Sequence, residues 1–313
     1  MIKVLDTDNY VKEILTKSRP NEKDYLVFYD HRLGVACKNP RLFLIPIDDH
    51  LVHRGDGVFE TMKFKKRKIY LLKEHLERLK RSAKSIYLDP PCSWEDVERI
   101  ILEVCKASET DDALISLYLG RGPGGFTTDF RECPYSSFYI VVRKYPYKKE
   151  SFWEKGVTAF KCDIPAKQSY LAKVKTVDYL PNVLMKREAI LKGYDYPLCF
   201  DEHGFLAEGS TENVIIVDQQ GRVIVPELKN ALSGTTLMRA LELIKDKFTF
   251  LFRPIREEEI YEAKEVILLG TTIDAVSVVR YNDKPIHDVR PGPVSKTIRT
   301  LLLQDQKENG VCF

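Results

Sequence analysis

"KVKTVDYLPNVLMKREA", residues 173–189, is the stretch on which the reading of this chain turns. Its second half is helical in pattern. Leu180, Leu184 and, just beyond it, Leu191 recur at helical spacing, and Gly193 supplies a stop. Pro181 is acceptable only in a first turn, so the helix starts next to it, with Asp178 as the expected cap. The first half ends a strand-like run. Lys173 and Lys175 stand where one element gives way to the other. A protonated lysine is a weak nucleophile; one that is desolvated or placed near other cations becomes a useful amine. Most lysines are solvated, so periodicity alone reads both as ordinary surface charge.

The rest of the chain narrows the classes of function. Its 313 residues allow two domains of ordinary size or one large one. With 44% hydrophobic and 30% charged residues, the composition is that of a folded soluble protein. The 49 basic and 46 acidic side chains leave a net charge of +3, which gives no reason to expect nucleic acid or an acidic membrane as partner. No apolar run approaches the roughly 20 residues of a membrane helix. The start, "MIKVLDTDNYVKEIL", is too polar for a signal peptide. Seven scattered cysteines without a C-x-x-C pair argue against a disulfide framework or a zinc site and for a reducing cytoplasm. The six histidines are dispersed too, so no metal is expected.

Along the chain, "DYLVFYDHRLG" reads as a strand, and "GVFETMKFKKRKIYLL" as strand, charged turn over Lys65–Lys68, and strand. "LLKEHLERLKRSAKSIYL" sets Leu72, Leu76 and Leu79 on one helical face; "SWEDVERIILEVCKAS" is a second helix with Ser93 as N-cap. "ALISLYLG" and "SSFYIVVRKY" are strands around a Gly- and Pro-rich loop. "YPYKKESFWEKG" has no period and many charges, and is the expected linker. Beyond it lie strands with Asp-Glu-His-Gly and Gln-Gln-Gly turns, the helix "SGTTLMRALELIKDK", the strand run "EVILLGTTIDAVSVVRYNDKPI" and a closing helix "PGPVSKTIRTLLLQ". There is no βαβ alternation. The order favours an α+β protein of two domains: residues 1–144, a linker 145–156, and residues 157–313 carrying the lysines.

Five segments bear chemistry once they are taken together. "VKTVDYLPNVLMKREA" is one. "EHLERL" holds Arg78, which by itself reads as the i, i+4 partner of Glu74. "AEGSTENVIIV" holds Glu208 and Asn213, by themselves loop residues before a strand. "LSGTTLMRAL" opens a helix with Leu232, Gly234, Thr235 and Thr236, where Ser233 or a threonine could simply cap it, and "LLGTTIDAV" places Thr271 and Thr272 at a strand end. In this order they resemble the fold-type IV pyridoxal-phosphate enzymes, the class IV aminotransferase family. It includes branched-chain and D-amino acid aminotransferases and aminodeoxychorismate lyases.

The resemblance implies the two-domain fold of that family, pyridoxal 5'-phosphate as cofactor, and a role for each segment. Lys175, not Lys173, forms the Schiff base and shuttles the proton. Arg78 takes the phosphate, which suits a planar, permanently charged fork. Glu208 keeps the pyridine nitrogen protonated, with Asn213 beside it in the motif. Leu232 packs on the ring. Gly234, Thr235 and Thr236 cradle the phosphate at a helix start, and Thr271 and Thr272 form its second contact. Tyr179 is placed to bond the phenolic oxygen. "HRGDGVFETMKF" resembles the family's strand of substrate-facing residues, here Phe59, Thr61 and Lys63 on one side. A homodimer is implied as well.

The reaction expected is amino transfer between an amino acid, branched-chain or D, and a 2-oxo acid. The alternative is 4-amino-4-deoxychorismate lysis to pyruvate and 4-aminobenzoate. In "GRGPGGFTTDF", Phe126 and Thr128 stand where D-amino acid aminotransferases carry an Arg-x-His pair, and Ser116 or a neighbour replaces the branched-chain arginine. Arg54, Lys63 and Arg121 are the cations left to hold a substrate carboxylate. A reading from another class is a binding module built on the basic stretch Lys63–Lys68, which requires salt-dependent polyanion binding.

Overall fold

A computed structural model describes residues 2–313 of the chain, which divides into two compact units: Met1–Tyr145 with Val311–Phe313, and Pro146–Gly310. The division falls at Tyr145/Pro146 and differs from the expected one at two places. The stretch read as a linker contains the helix Ser151–Lys155, and its Trp153 indole donates to the Ile273 carbonyl at 2.9 Å, so it packs as part of the second unit. Five residues are too few to show a helical period. The last residues of the chain, Val311–Cys312, pair with Lys68–Ile69 and complete the first unit.

The first unit is a seven-stranded antiparallel sheet in the order Val311–Cys312, Lys68–Ile69, Gly57–Lys65, Ala113–Gly120, Ser137–Lys144, Tyr25–Asp30, Val35–Cys37. The charged turn is a two-residue hairpin: Lys65 pairs Lys68, and Lys66 and Arg67 both take positive φ, 50° and 58°. Neither residue favours that conformation. The Lys66 and Arg67 amides are held by the Asp112 carboxylate and the Asp111 carbonyl, at 2.8 and 2.9 Å. The helices Leu72–Ser85 and Trp94–Ala107 cover one sheet face. Leu72, Leu76 and Leu79 are buried as expected, and the Ser93 hydroxyl accepts the Asp96 amide at 3.1 Å. Along Gly57–Lys65 the side chains alternate, so Val58, Glu60, Met62 and Phe64 share the side opposite to Phe59, Thr61 and Lys63.

The second unit is a mixed sheet. Its main path runs Phe250–Phe252, Val223–Val225, Asn213–Val217, Glu265–Gly270, Asp274–Tyr281, Val157–Lys161, Tyr196–Leu198, with Lys284–Pro285 beside Asp274–Tyr281. Neighbouring residues of Asn213–Val217 go to opposite cores: Val214 and Ile216 to one, Ile215 and Val217 to the other. That explains a continuous apolar run in a strand buried on both faces.

The helix of the opening stretch, Leu180–Lys192, corrects one expectation. Its N-cap is Tyr179 and no side chain closes it, so Asp178 is not the cap. Pro181 lies in the first turn and Gly193 ends the helix at φ 78°, as read. The face that packs is Asn182, Met185 and Ala189, the last two in a small core with Phe160, Cys162 and Cys199. Leu180, Leu184 and Leu191 point outward, 63%, 38% and 68% exposed.

Candidate active site

In the second unit the sequence brings the lysine, a tyrosine and a carboxylate together. Val174 and Thr176 are buried on either side of Lys175, which remains half-exposed between them. Its Nζ donates to the Tyr179 hydroxyl at 3.2 Å and lies 5.3 Å from the centre of that ring. Lys173, by contrast, is exposed and ends a short helical turn.

Glu208 follows a two-stranded stretch in which the Cys199 amide donates to the Glu208 carbonyl at 2.9 Å. Its carboxylate Oε2 accepts the Leu232 amide at 3.1 Å. The residue is half-buried overall, and its carboxylate is enclosed by protein. Burial pushes it up to about 7, against the pull of the Leu232 amide, Lys175 and Lys167. Asn213 works on the same turn: its Nδ2 donates to the Leu232 carbonyl at 2.8 Å. Leu232 is thus held by its amide to Glu208 and by its carbonyl to Asn213. Gly234 follows as the N-cap of helix Thr235–Ile244, with no side-chain cap, so Ser233 does not play the capping role open to it in sequence. A Cβ on Gly234 would come 1.8 Å from Asn213 Oδ1, so only glycine permits this approach. Thr235 and Thr236 are buried in the first turn.

Thr271 and Thr272 form the turn between Glu265–Gly270 and Asp274–Tyr281. Thr272 and Tyr179 line one cavity of about 350 Å³ with Asn182, Ser210, Thr211 and Glu212. Glu212 escaped the sequence reading. It is buried, accepts the Thr211 amide at 3.0 Å and the Ser210 hydroxyl at 3.3 Å, and its carbonyl accepts the Gly209 amide at 2.7 Å. It shapes the loop from Glu208 to Asn213, and the second acid in Glu-x-x-x-Glu-Asn was its only signal.

In the first unit Arg78 does not pair with Glu74. Its fork meets Glu60 from the neighbouring strand: Nε to Oε1 at 2.6 Å and Nη2 to Oε2 at 2.7 Å, with His75 Nδ1 2.7 Å from the same Oε2. Burial alone would raise Glu60; Arg78, and then His75, outweigh it and hold the carboxyl down at about 2. On the opposite side of the strand Phe59 stacks on Tyr118 at 6.1 Å, Thr61 pairs Ser116 in register, and Lys63 is buried with its ammonium 5.8 Å from the Tyr70 ring.

Two of the cations expected to hold a substrate carboxylate are bonded within the chain. Arg121 donates from Nε and Nη2 to Asp56, both at 3.0 Å, and from Nη1 and Nη2 to the Tyr87 and Ile86 carbonyls at the end of helix Leu72–Ser85. Arg54 donates to the backbone carbonyls of His53, Phe126 and Thr127. Both guanidinium groups fasten loops. Among the described residues no cluster of His, Cys, Asp and Glu could hold a metal ion.

Comparison with known proteins places this geometry. The amino-transferase class IV family model matches residues 57–281, and the chain belongs to that family. It is therefore an enzyme of the pyridoxal-phosphate-dependent aminotransferase class. It is 32% identical over 292 residues to the chloroplastic D-amino-acid transaminase of Arabidopsis thaliana, covering 91% of this chain and 78% of that one. It is 27% identical over 275 residues to the "Probable branched-chain-amino-acid aminotransferase" of Aquifex aeolicus, covering 82% and 85%. Its fold matches the T.th. branched-chain amino acid aminotransferase solved with pyridoxamine 5'-phosphate, with TM-score 0.85, 24% identity and coverage of 91% and 95%.

The residues present fit that cofactor. Glu208, whose carboxyl burial raises to about 7, suits a protonated ring nitrogen, which would keep it ionised. An amine stands beside a phenol hydroxyl, and a ten-residue helix begins at a glycine cap that no side chain closes, the kind of helix start that suits an anion.

Proposed function

We propose that this chain transfers amino groups between an amino acid, branched-chain or D, and a 2-oxo acid, with Lys175 as the amine that carries the cofactor and moves the proton. The juxtaposition of Lys175, Tyr179 and Glu208 supports it most directly. When bound, pyridoxal phosphate supplies an electron sink for the charge left on the substrate's α-carbon. Lys175 Nζ would hold the cofactor and, once free, would take the substrate's α-proton and return it as a general acid. The Tyr179 hydroxyl, 3.2 Å from that nitrogen, orients it. Glu208 balances a positive ring nitrogen, and its hold on the Leu232 amide keeps the ring-facing turn in place. Thr235, Thr236 and the Thr271–Thr272 turn are assigned to the phosphate by their motifs. So is Arg78, whose orientation Glu60 sets.

Relatives of both substrate types support the two amino acid classes equally, so one experiment separates them. D- and L-amino acids are added in turn to the reconstituted protein and the visible band is followed. Bleaching by one hand identifies the substrate series. A band that no amino acid bleaches would reject transamination in favour of the lyase reaction.

A homodimer is part of the proposal. Besides Leu180 and Leu191, the helix Leu180–Lys192 exposes Val183 and Ile190 at 59% and 65%, an apolar face that a second copy would cover. Light scattering should give twice the chain mass of 36.2 kDa; a monomer at micromolar concentration would refute it. A cytoplasmic location rests on seven cysteines that are all unpaired. No described helix is long and apolar enough to cross a membrane. Cell fractionation finding the protein inside an organelle would overturn the cytoplasmic assignment.

A further inference from the structure

We propose that Lys167, which lies outside every motif above, is a positioning residue of this site: it clamps Tyr179, the tyrosine that Lys175 contacts, and brings a second ammonium to that ring. The inference rests on Lys175 being the cofactor lysine.

Three contacts define the clamp. Lys167 Nζ donates to the Asp178 carbonyl at 2.7 Å. The same ammonium lies 4.7 Å from the centre of the Tyr179 ring. Lys175 Nζ approaches that ring too, at 5.3 Å, and reaches its hydroxyl. One ammonium therefore holds both the peptide that leads into Tyr179 and the ring itself. Tyr179 needs such a hold, since it is an N-cap that no side chain closes. The base of Lys167 is anchored as well: Ala166 is buried in the small core under helix Leu180–Lys192, and its amide donates to the Phe200 carbonyl at 3.0 Å.

An ordinary surface lysine does not behave this way. Lys167 is partly buried, and burial lowers its proton affinity, while Asp178 and Glu208 oppose that effect. Among the described residues, the titratable groups facing the two lysines include Asp178, Tyr179, Glu208 and, through Glu208, Glu212. Glu208 feels both ammonium groups. A cation near Lys175 disfavours a second positive charge there, and a base must be neutral to take a proton. Lys167 thus serves the reaction in two ways: it fixes the hydroxyl that orients Lys175, and it biases Lys175 toward the form that acts.

The test compares wild type with Lys167→Met, Lys167→Gln and Lys167→Arg. One readout is the pH midpoint of the visible band after reconstitution with pyridoxal phosphate. The other is the pH midpoint for reductive methylation of Lys175 in the cofactor-free protein, followed by peptide mass spectrometry. Both midpoints should rise by about half a pH unit or more in the neutral variants, the size expected for losing one nearby charge across partly buried protein. Lys167→Arg, which keeps the charge, should stay with wild type. If it alone folds, a displaced midpoint in it overturns the inference. Folded neutral variants with unmoved midpoints also overturn it, even if they melt earlier, and leave the role of Lys175 intact. A wild type that shows no visible band would overturn both readings together.

Discussion

Lys175→Ala is expected to erase the visible band of the reconstituted protein and to cut amino transfer on the order of 10³-fold or more, while Lys173→Ala leaves both in place. The magnitude follows from what the amine is asked to do. General acid–base work alone contributes about 10²–10⁴-fold, and the same nitrogen also forms the covalent link to the cofactor. Neither of the two lysines just before it in the chain can take over at the same point. Lys167 is tied to the Asp178 carbonyl, and Lys173 is exposed beyond the buried Val174. Absorbance and single-turnover rates on the two variants decide the matter. A full band in Lys175→Ala, or its loss in Lys173→Ala, would move the chemistry to another residue.

Glu60→Gln should lower the stability of the first unit by about 3 kcal/mol near neutral pH and weaken cofactor binding. Breaking a buried ion pair costs about 3–5 kcal/mol, because the remaining charge is left without its counterpart. Here Arg78 would lose a two-pronged partner at 2.6 and 2.7 Å and His75 a bond at 2.7 Å. The pH dependence has a definite sign. The folded-state value of Glu60, about 2, lies below the ordinary 4.5. Its contribution is therefore complete above about pH 4.5 and disappears as the pH falls toward 2. Wild type should lose stability through that window by more than the variant does. Urea unfolding at pH 7 and pH 3 measures the difference. Equal midpoints for the two proteins at pH 7 would mean that Arg78 is held by something other than Glu60.

Glu60 also shows where sequence reading stops. Arg78 was visible as a member of a helix motif, and its local partner by spacing was Glu74. The actual partner comes from a strand 18 positions earlier, because the strand and helix pack face to face. Arg121 has a partner of the same distant kind: Asp56, 65 positions away, pairs with it, and no local pattern announces such a pairing. The helix after Lys175 was legible as a helix because Pro181 and Gly193 bracket it through backbone geometry. Which face packs was not legible, since leucines at helical spacing say only that a stripe exists. Lys175, Glu208, Gly234 and Thr235 were singled out by the resemblance of their short segments to the family's motifs. Lys167 and Glu212 were not, as each acts through a neighbour rather than through a motif.

The pairing of Val311–Cys312 with Lys68–Ile69 bears on how the protein is made. On the ribosome, the outer strand of the first sheet is synthesised early but receives its neighbour only after more than two hundred further residues have emerged. Until then Lys68–Ile69 offers open backbone groups of the kind that recruit other chains. The second unit must be finished, or at least extruded, before the first can be closed. A nascent chain interrupted before residue 311 therefore lacks that pairing, although every other strand of the first sheet has been made by residue 145.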